Sequence, residues 1–323
     1  MRANQTSIAT GAAPETREES PAGGGRTIVL AIDQNSFPVS GQASAREAAT
    51  RVVNRVAAED YLGMVAFPGP VAIAPTRDRA AVRDALSRIS GLRVDLISSR
   101  FNISASEAAQ LKSKDGLATR EITGRECTFD PFNSTCAQEV IQDGGRIADA
   151  RERRAVQSLS GLHGVIDAVG SFPGRKTLIL ISAGLPMYPR GTPNPDSETT
   201  YIARRAAAAN INLYVFYVNV HFLRAFSPEY GRRNNALFED ITLFGYGLEK
   251  FADSAGGSFF QIEVDSDPFV ARALRETSAS YILAVQVQPE DRDGKDPFIR
   301  VTVKHRGATV RYRRVVNIPT AVR

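Results

Sequence analysis

The sequence predicts an α/β protein: a doubly wound, mostly parallel sheet with helices on both faces, extended at its C-terminus by a β-hairpin. Three observations predict it. Several short runs are apolar almost without interruption, as in Arg26–Asp33, Lys176–Ser182 and Ile211–Val218, which suits strands buried on both faces. Between them lie segments with apolar residues at helical spacing. After about residue 279 the pattern changes to period two, with Ile299, Val301 and Val303 alternating with Arg300, Thr302 and Lys304.

The elements follow in order. Residues 1–25 are rich in Ala, Gly, Ser, Thr and Glu and lack an apolar stretch of signal-peptide length. They read as a disordered lead-in. Arg26–Asp33 is the first strand and ends in a carboxylate. Asn35–Gln42 is a loop marked by Pro38 and Gly41. Ala45, Ala48, Ala49, Val52, Val53 and Val56 then define a helix whose small side chains allow close packing on a sheet. Tyr61–Phe67 is a strand, Pro68-Gly69-Pro70 a turn, and Val71–Ala74 a short strand expected to run antiparallel. Val82, Ala85, Leu86 and Ile89 mark the next helix, with Thr76 near its start and Asp78 suited to its first turn.

Residues 92–148 break this rhythm. The stretch is rich in Ser, Asn, Gly and Asp, suggests one short helix around Ser104–Leu111, and reads as a long insertion. Cys127 and Cys136 lie within it and are the only cysteines. Either they close a short disulfide loop, which implies an oxidising compartment, or they are free thiols. No nearby His completes a zinc site.

Alternation resumes with a helix over about Ile147–Val169, ended by Pro173-Gly174, and the strand Lys176–Ser182. A proline-rich loop, Ala183–Asp196, precedes a helix over Glu198–Ala209 and the strand Ile211–Val218. A decorated stretch, Asn219–Asp240, leads to a helix carrying Leu248, Phe251, Ala252 and Ala255, capped by Gly256-Gly257. Strand Ser258–Ile262 and a helix with Phe269, Val270, Ala273 and Leu274 close the α/β region at about residue 278. Tyr281–Val287 and the segments around the Arg306-Gly307 turn form the expected hairpin extension, residues 279–323.

In a parallel sheet, ligands gather at the carboxyl ends of the strands. Asp33 and Ser182, with the loop residues Asn35 and Ser36, therefore form the expected binding face, together with Thr76. The pattern resembles a von Willebrand factor type A (VWA) domain, a Rossmann-like fold. Leu30-Ala-Ile-Asp33 is similar to that family's opening strand, and Gly174-Arg-Lys-Thr-Leu-Ile-Leu-Ile-Ser-Ala-Gly184 to its fourth strand. The end of the chain, through Asp293-Gly-Lys295, resembles the β extension of bacterial VWFA-related proteins.

The resemblance implies a protein-binding module that grips a divalent cation, usually Mg2+, through Asp-x-Ser-x-Ser, a Thr and a second Asp. Here Asp33 is present and Asn35 replaces the first Ser. Phe37 replaces the second Ser, Ser36 is one position out of phase, and Ala183 stands where the second Asp is expected. Asp33 and Asn35 are the remaining metal candidates, so the resemblance implies a degenerate metal-ion-dependent adhesion site. Together with the cysteine pair it also favours an extracytoplasmic location, although residues 1–25 contain no signal peptide.

Other functions fit less well. No Gly-x-Ser-x-Gly elbow or phosphate-binding Gly-x-x-x-x-Gly-Lys-Ser/Thr occurs, so no catalytic residue is assigned. A catalytic alternative would use Ser182. No apolar run is long enough to span a membrane. The net charge of +5 is concentrated in six Lys/Arg between Ile299 and Arg314, a small footprint for a nucleic-acid binder. The expected partner is a protein. The loop aromatics Phe101, Phe129, Phe132, Tyr188, Phe222, Phe226 and Tyr230 are its candidate anchors.

Overall fold

The computed structural model describes residues 25–94, 99–128, 135–188, 193–220, 236–278, 299–304, 306–307 and 309–313. Six strands form one sheet: β1 (Thr27–Asp33), β2 (Tyr61–Phe67), β3 (Ala72–Thr76), β4 (Lys176–Ser182), β5 (Ile211–Val218) and β6 (Phe259–Ile262). Their order is β3-β2-β1-β4-β5-β6. All neighbours are parallel except β2 and β3, which are antiparallel as their tight connection requires.

Alternation along each strand divides the core in two. Ile28, Leu30, Ile32, Ile179, Ile181, Tyr214 and Phe216 face one layer. That layer contains α1 (Gln42–Arg55), α2 (Arg79–Ser87) and α8 (Asp267–Glu276). Val29, Ala31, Leu178, Leu180, Leu213 and Val215 face the other. It is built from α5 (Cys136–Gly170), α6 (Pro195–Ala208) and α7 (Leu237–Ser254). The molecule is thus a doubly wound, Rossmann-like α/β fold with both sheet faces covered. The continuous apolar strands are explained by this double burial.

The insertion differs from the sequence expectation. It is helical rather than a loop, with α3 (Ala105–Lys112), α4 (Gly116–Glu126) and the first turns of α5 packed around a small core of their own. The short helix near Ser104 is α3. A capping box starts it: Ser104 accepts from the Glu107 amide and Glu107 accepts from the Ser104 amide. Asp115 caps α4.

α5 begins at Cys136, not near Ile147. Gly144 and Gly145, within the Gly-containing stretch that reads as an insertion, lie inside the helix. A Cβ at Gly144 would stand 2.4 Å from Leu111 Cδ1. Glycine is there so that α3 and α5 can approach closely. A disulfide joins Cys127, the C-cap of α4, to Cys136, the first residue of α5.

Other boundaries move by a few residues. β3 is Ala72–Thr76 rather than Val71–Ala74. α6 starts at Pro195, with Asn194 as its cap, because proline is well suited to a first helical turn. α7 starts at Leu237. Gly256 does end α7 in the left-handed region, at φ +75°.

Residues 1–24, the strand expected over Tyr281–Val287, and Phe129, Phe132, Phe222, Phe226 and Tyr230 lie outside the described residues. In the described part of the C-terminal segment, Gly307 adopts φ +81° at the expected turn. Arg313 Nη2 donates to Asn210 Oδ1 at 2.6 Å and Asn212 Oδ1 at 3.0 Å, so this segment lies against the amino end of β5. Among the described residues, no helix is long and apolar enough to cross a membrane.

Candidate functional site at the β1–β4 switch point

Chain order reverses between β1 and β4. From β1 the chain winds outward to β2 and β3, and from β4 to β5 and β6. The loops leaving β1 and β4 therefore diverge and open a crevice at the carboxyl edge of the sheet. Asp33, the last residue of β1, lies at its floor and is 2 % exposed.

Two hydroxyls hold the Asp33 carboxylate. Ser158 Oγ, from α5, donates to Oδ1 at 2.9 Å, and Ser182 Oγ, from the end of β4, donates to Oδ2 at 3.2 Å. Burial pushes the Asp33 pKa up from 3.8 to about 7, and these hydrogen bonds offset only part of the desolvation. Ser182 is fully buried, and its Oγ also accepts from the Gly184 amide at 3.1 Å. Gly184 has φ +113°, which suits glycine, and Phe244 occupies the space a side chain would need.

Ser36 ties the two loops together. Its Oγ donates to the Asp33 carbonyl at 2.6 Å and accepts from the Ala183 amide at 2.8 Å. Although it is out of phase with the metal-binding pattern, it becomes the link between β1 and β4. Gln34 braces the other side, with Nε2 donating to the Pro68 carbonyl and Oε1 accepting from the Ser90 amide. Leu92 and Arg93 run alongside this loop, their amides donating to the carbonyls of Gln34 and Phe37. The Arg93 guanidinium donates to the Ser36 carbonyl at 2.9 Å.

Above Ser36 and Ser158 is a cleft enclosing about 10 Å3, enough for about one water. Arg93 and Arg154 are the charged side chains in its lining. Arg154 also donates to the Val94 carbonyl. Beside the cleft Val39, Leu92 and Val94 are exposed, at 61, 45 and 58 %.

Asp33, Ser36 and Ser182 are thus brought together. Asn35 is half-buried on the loop beside them. Thr76 is not part of the cluster and corrects the expected binding face. It pairs with Leu62, one residue into β2, whereas Asp33 pairs with Phe67 at the far end. Antiparallel pairing carries β3 back down the sheet, so Thr76 ends at the opposite edge. There its Oγ1 accepts from the amide of Asp78, the cap of α2.

Phe37 is fully buried in the core, and Ala183 is buried at the β4 end. Of the loop aromatics, Phe101 packs on the insertion core, and burial pushes the Tyr188 hydroxyl up to about 12. Ser158, Arg93 and Arg154 were missed by sequence reasoning. Ser158 had a signal: it interrupts an apolar stripe at Ala155, Leu159 and Leu162 with a hydroxyl. Arg93 and Arg154 had none, since each lies in a stretch rich in other arginines. Among the described residues no group of three or more His, Cys, Asp or Glu converges as a metal site.

Sheet order and switch-point crevice define a doubly wound, Rossmann-like α/β fold. No protein-family model matches the chain, and no curated protein matches it. Among solved structures, it is similar to an aerotolerance-related membrane protein from Bacteroides fragilis NCTC 9343 carrying multiple mutations to serines. The identity is 14 %, over 78 % of this chain and 98 % of that one, with a TM-score of 0.36. It is also similar to the conserved hypothetical protein BatB from Bacteroides thetaiotaomicron. There the identity is 16 %, over 79 % of this chain and 100 % of that one, with a TM-score of 0.36.

Proposed function

We propose that the chain is a non-catalytic protein-binding module of the VWA type, whose partner docks on the rim around the switch-point crevice and whose divalent-cation site is degraded. One observation carries this reading. The Asp33 carboxylate is engaged by Ser158 and Ser182 at the floor of a cleft lined by Arg93 and Arg154.

Magnesium favours near-octahedral oxygen ligation and usually engages one or two carboxylates. This cluster offers one carboxylate, held toward its protonated form by burial. The second acidic position is Ala183, and two arginines supply positive charge where a cation would need negative charge. The residues present fit a divalent cation poorly. The exposed Val39, Leu92 and Val94 give the rim apolar contact area beside those charges. Catalysis has little support, because Ser182 is fully buried and its Oγ is committed to Asp33 and Gly184.

Calorimetric titration of the full chain with Mg2+ and Mn2+ tests the cation part. The expected result is no saturable binding tighter than about 1 mM, in the native chain and in Asp33→Ala alike. Tight binding that disappears in Asp33→Ala would overturn it. For the docking part, pull-down with the native chain and with a Val39→Glu/Val94→Glu variant is expected to show a partner only for the native chain. A partner retained equally by both places docking elsewhere.

A further inference from the structure

Positive charge gathers at the amino edge of the sheet, where β4 and β5 begin. Lys176, the first residue of β4, pairs with Ile211, the first of β5. Asn210 and Asn212 flank Ile211, and their side-chain oxygens hold Arg313 across this corner. Gly256 allows the approach, since a Cβ there would stand 3.1 Å from the Arg313 amide nitrogen. Arg175 immediately precedes Lys176 and is half-buried. Lys176 is 3 % exposed, and its Nζ donates to the Phe172 carbonyl at 2.7 Å.

These three cations are not balanced. Among the described residues no carboxylate pairs with Arg175, Lys176 or Arg313. Glu276, at the end of α8, is engaged elsewhere: it accepts from Ser258 Oγ at 2.6 Å and Arg272 Nε at 2.8 Å, and Arg311 Nε lies 3.7 Å from it. Burial pushes all three pKa values down, that of Arg313 to about 10. The cations also press on one another, Arg175 adding to the fall at Arg313 and Arg313 to the fall at Lys176. Asn210 and Asn212 offer dipoles but no charge. Charges gathered out of water are costly unless an opposite charge joins them.

We propose that this corner binds a phosphate group, as free inorganic phosphate or as a phosphate monoester. Arg175 is the member that solvent reaches, and its planar fork matches two phosphate oxygens. Arg313 and Lys176 stand behind it as fixed positive charge. A phosphate monoester carries about −1.5 to −2 charges at pH 7, which offsets most of the cluster, whereas a carboxylate offsets a single cation. The corner lies at the opposite edge of the sheet from the Asp33 crevice, so it holds or fails independently of the docking rim.

The test is calorimetric titration of the full chain at pH 7.5 with inorganic phosphate and with glycerol 3-phosphate. Sodium chloride at matched ionic strength is the screening control. Saturable phosphate binding tighter than about 1 mM is expected, with chloride inert. Arg175→Gln should weaken it about tenfold, the scale of one charge-assisted hydrogen bond, and Arg120→Gln, at an exposed arginine of α4, should leave it unchanged. Arg175→Lys, which keeps the charge but loses the fork, should fall between and serves where Arg175→Gln loses its native Tm. Tighter binding of glycerol 3-phosphate assigns a monoester, and equal or weaker binding assigns the free anion. No saturable binding by either phosphate, an equal response to chloride, or unchanged affinity in the Arg175 variant that keeps the native Tm overturns the proposal.

Discussion

Ser158 Oγ donates to Asp33 Oδ1 at 2.9 Å across 125 positions of sequence, fastening the long helix α5 to the last residue of the first strand. Among the described residues the bond supplies one of two side-chain donors to this buried carboxylate, with Ser182 the other. Burial of that carboxylate, which the two bonds only partly offset, sets its pH behaviour.

Asp33 should make the native chain less stable as pH rises from about 4 to about 7. Its folded pKa, about 7, lies above its ordinary value of 3.8. In that window the folded state holds a proton that the unfolded state has released, so each rise in pH favours unfolding, and the loss is complete above about pH 7. Urea denaturation from pH 4 to 8 should show this decline, on the order of a few kcal/mol. In Asp33→Asn that component should vanish. An identical pH profile in both proteins would show that Asp33 does not carry the effect.

Asp240 should anchor the helical insertion to the sheet domain. Its carboxylate, 4 % exposed on α7, accepts from the Ser106 amide at 2.8 Å and the Ser106 hydroxyl at 2.7 Å, capping α3 from outside. Asp240→Ala leaves buried donors without an acceptor and should cost about 1–3 kcal/mol. Hydrogen exchange should accelerate first in α3. Uniform acceleration throughout the sheet would argue against a local anchor.

The Cys127–Cys136 disulfide closes a short loop between α4 and α5. Replacing both cysteines by serine should cost about 2–3 kcal/mol by the loop-closure relation. Proteolysis should then begin in the insertion before the sheet domain opens. A double variant with unchanged urea midpoint and unchanged cleavage pattern would contradict this.

Gly257 should tolerate no side chain. A Cβ there would stand 1.9 Å from the Leu213 carbonyl oxygen, a backbone atom in β5 that cannot rotate away. Gly257→Ala should therefore cost about 3 kcal/mol or more, at the upper end for overpacking. The fall in Tm is the readout. By contrast Gly145→Ala, where nothing lies within 4 Å, should raise helix stability slightly.

The sequence by itself determined the sheet strands of the α/β region, their separation by helices, and Asp33 at a carboxyl edge. Those features are local: a strand buried on both faces must be apolar throughout, and a covering helix must repeat its apolar residues every three to four positions. It misled where local signals serve distant contacts. Gly144, in a stretch that reads as an insertion, makes room for Leu111, and Thr76 resembles a binding-face residue until antiparallel pairing sets it beside Leu62. Only the tertiary structure decided which hydroxyls reach Asp33 and which charges face the crevice. Ser158, Ser182, Arg93 and Arg154 come from separate segments, and their meeting depends on how α5 and the loops cross the sheet, a relation with no periodicity along the chain.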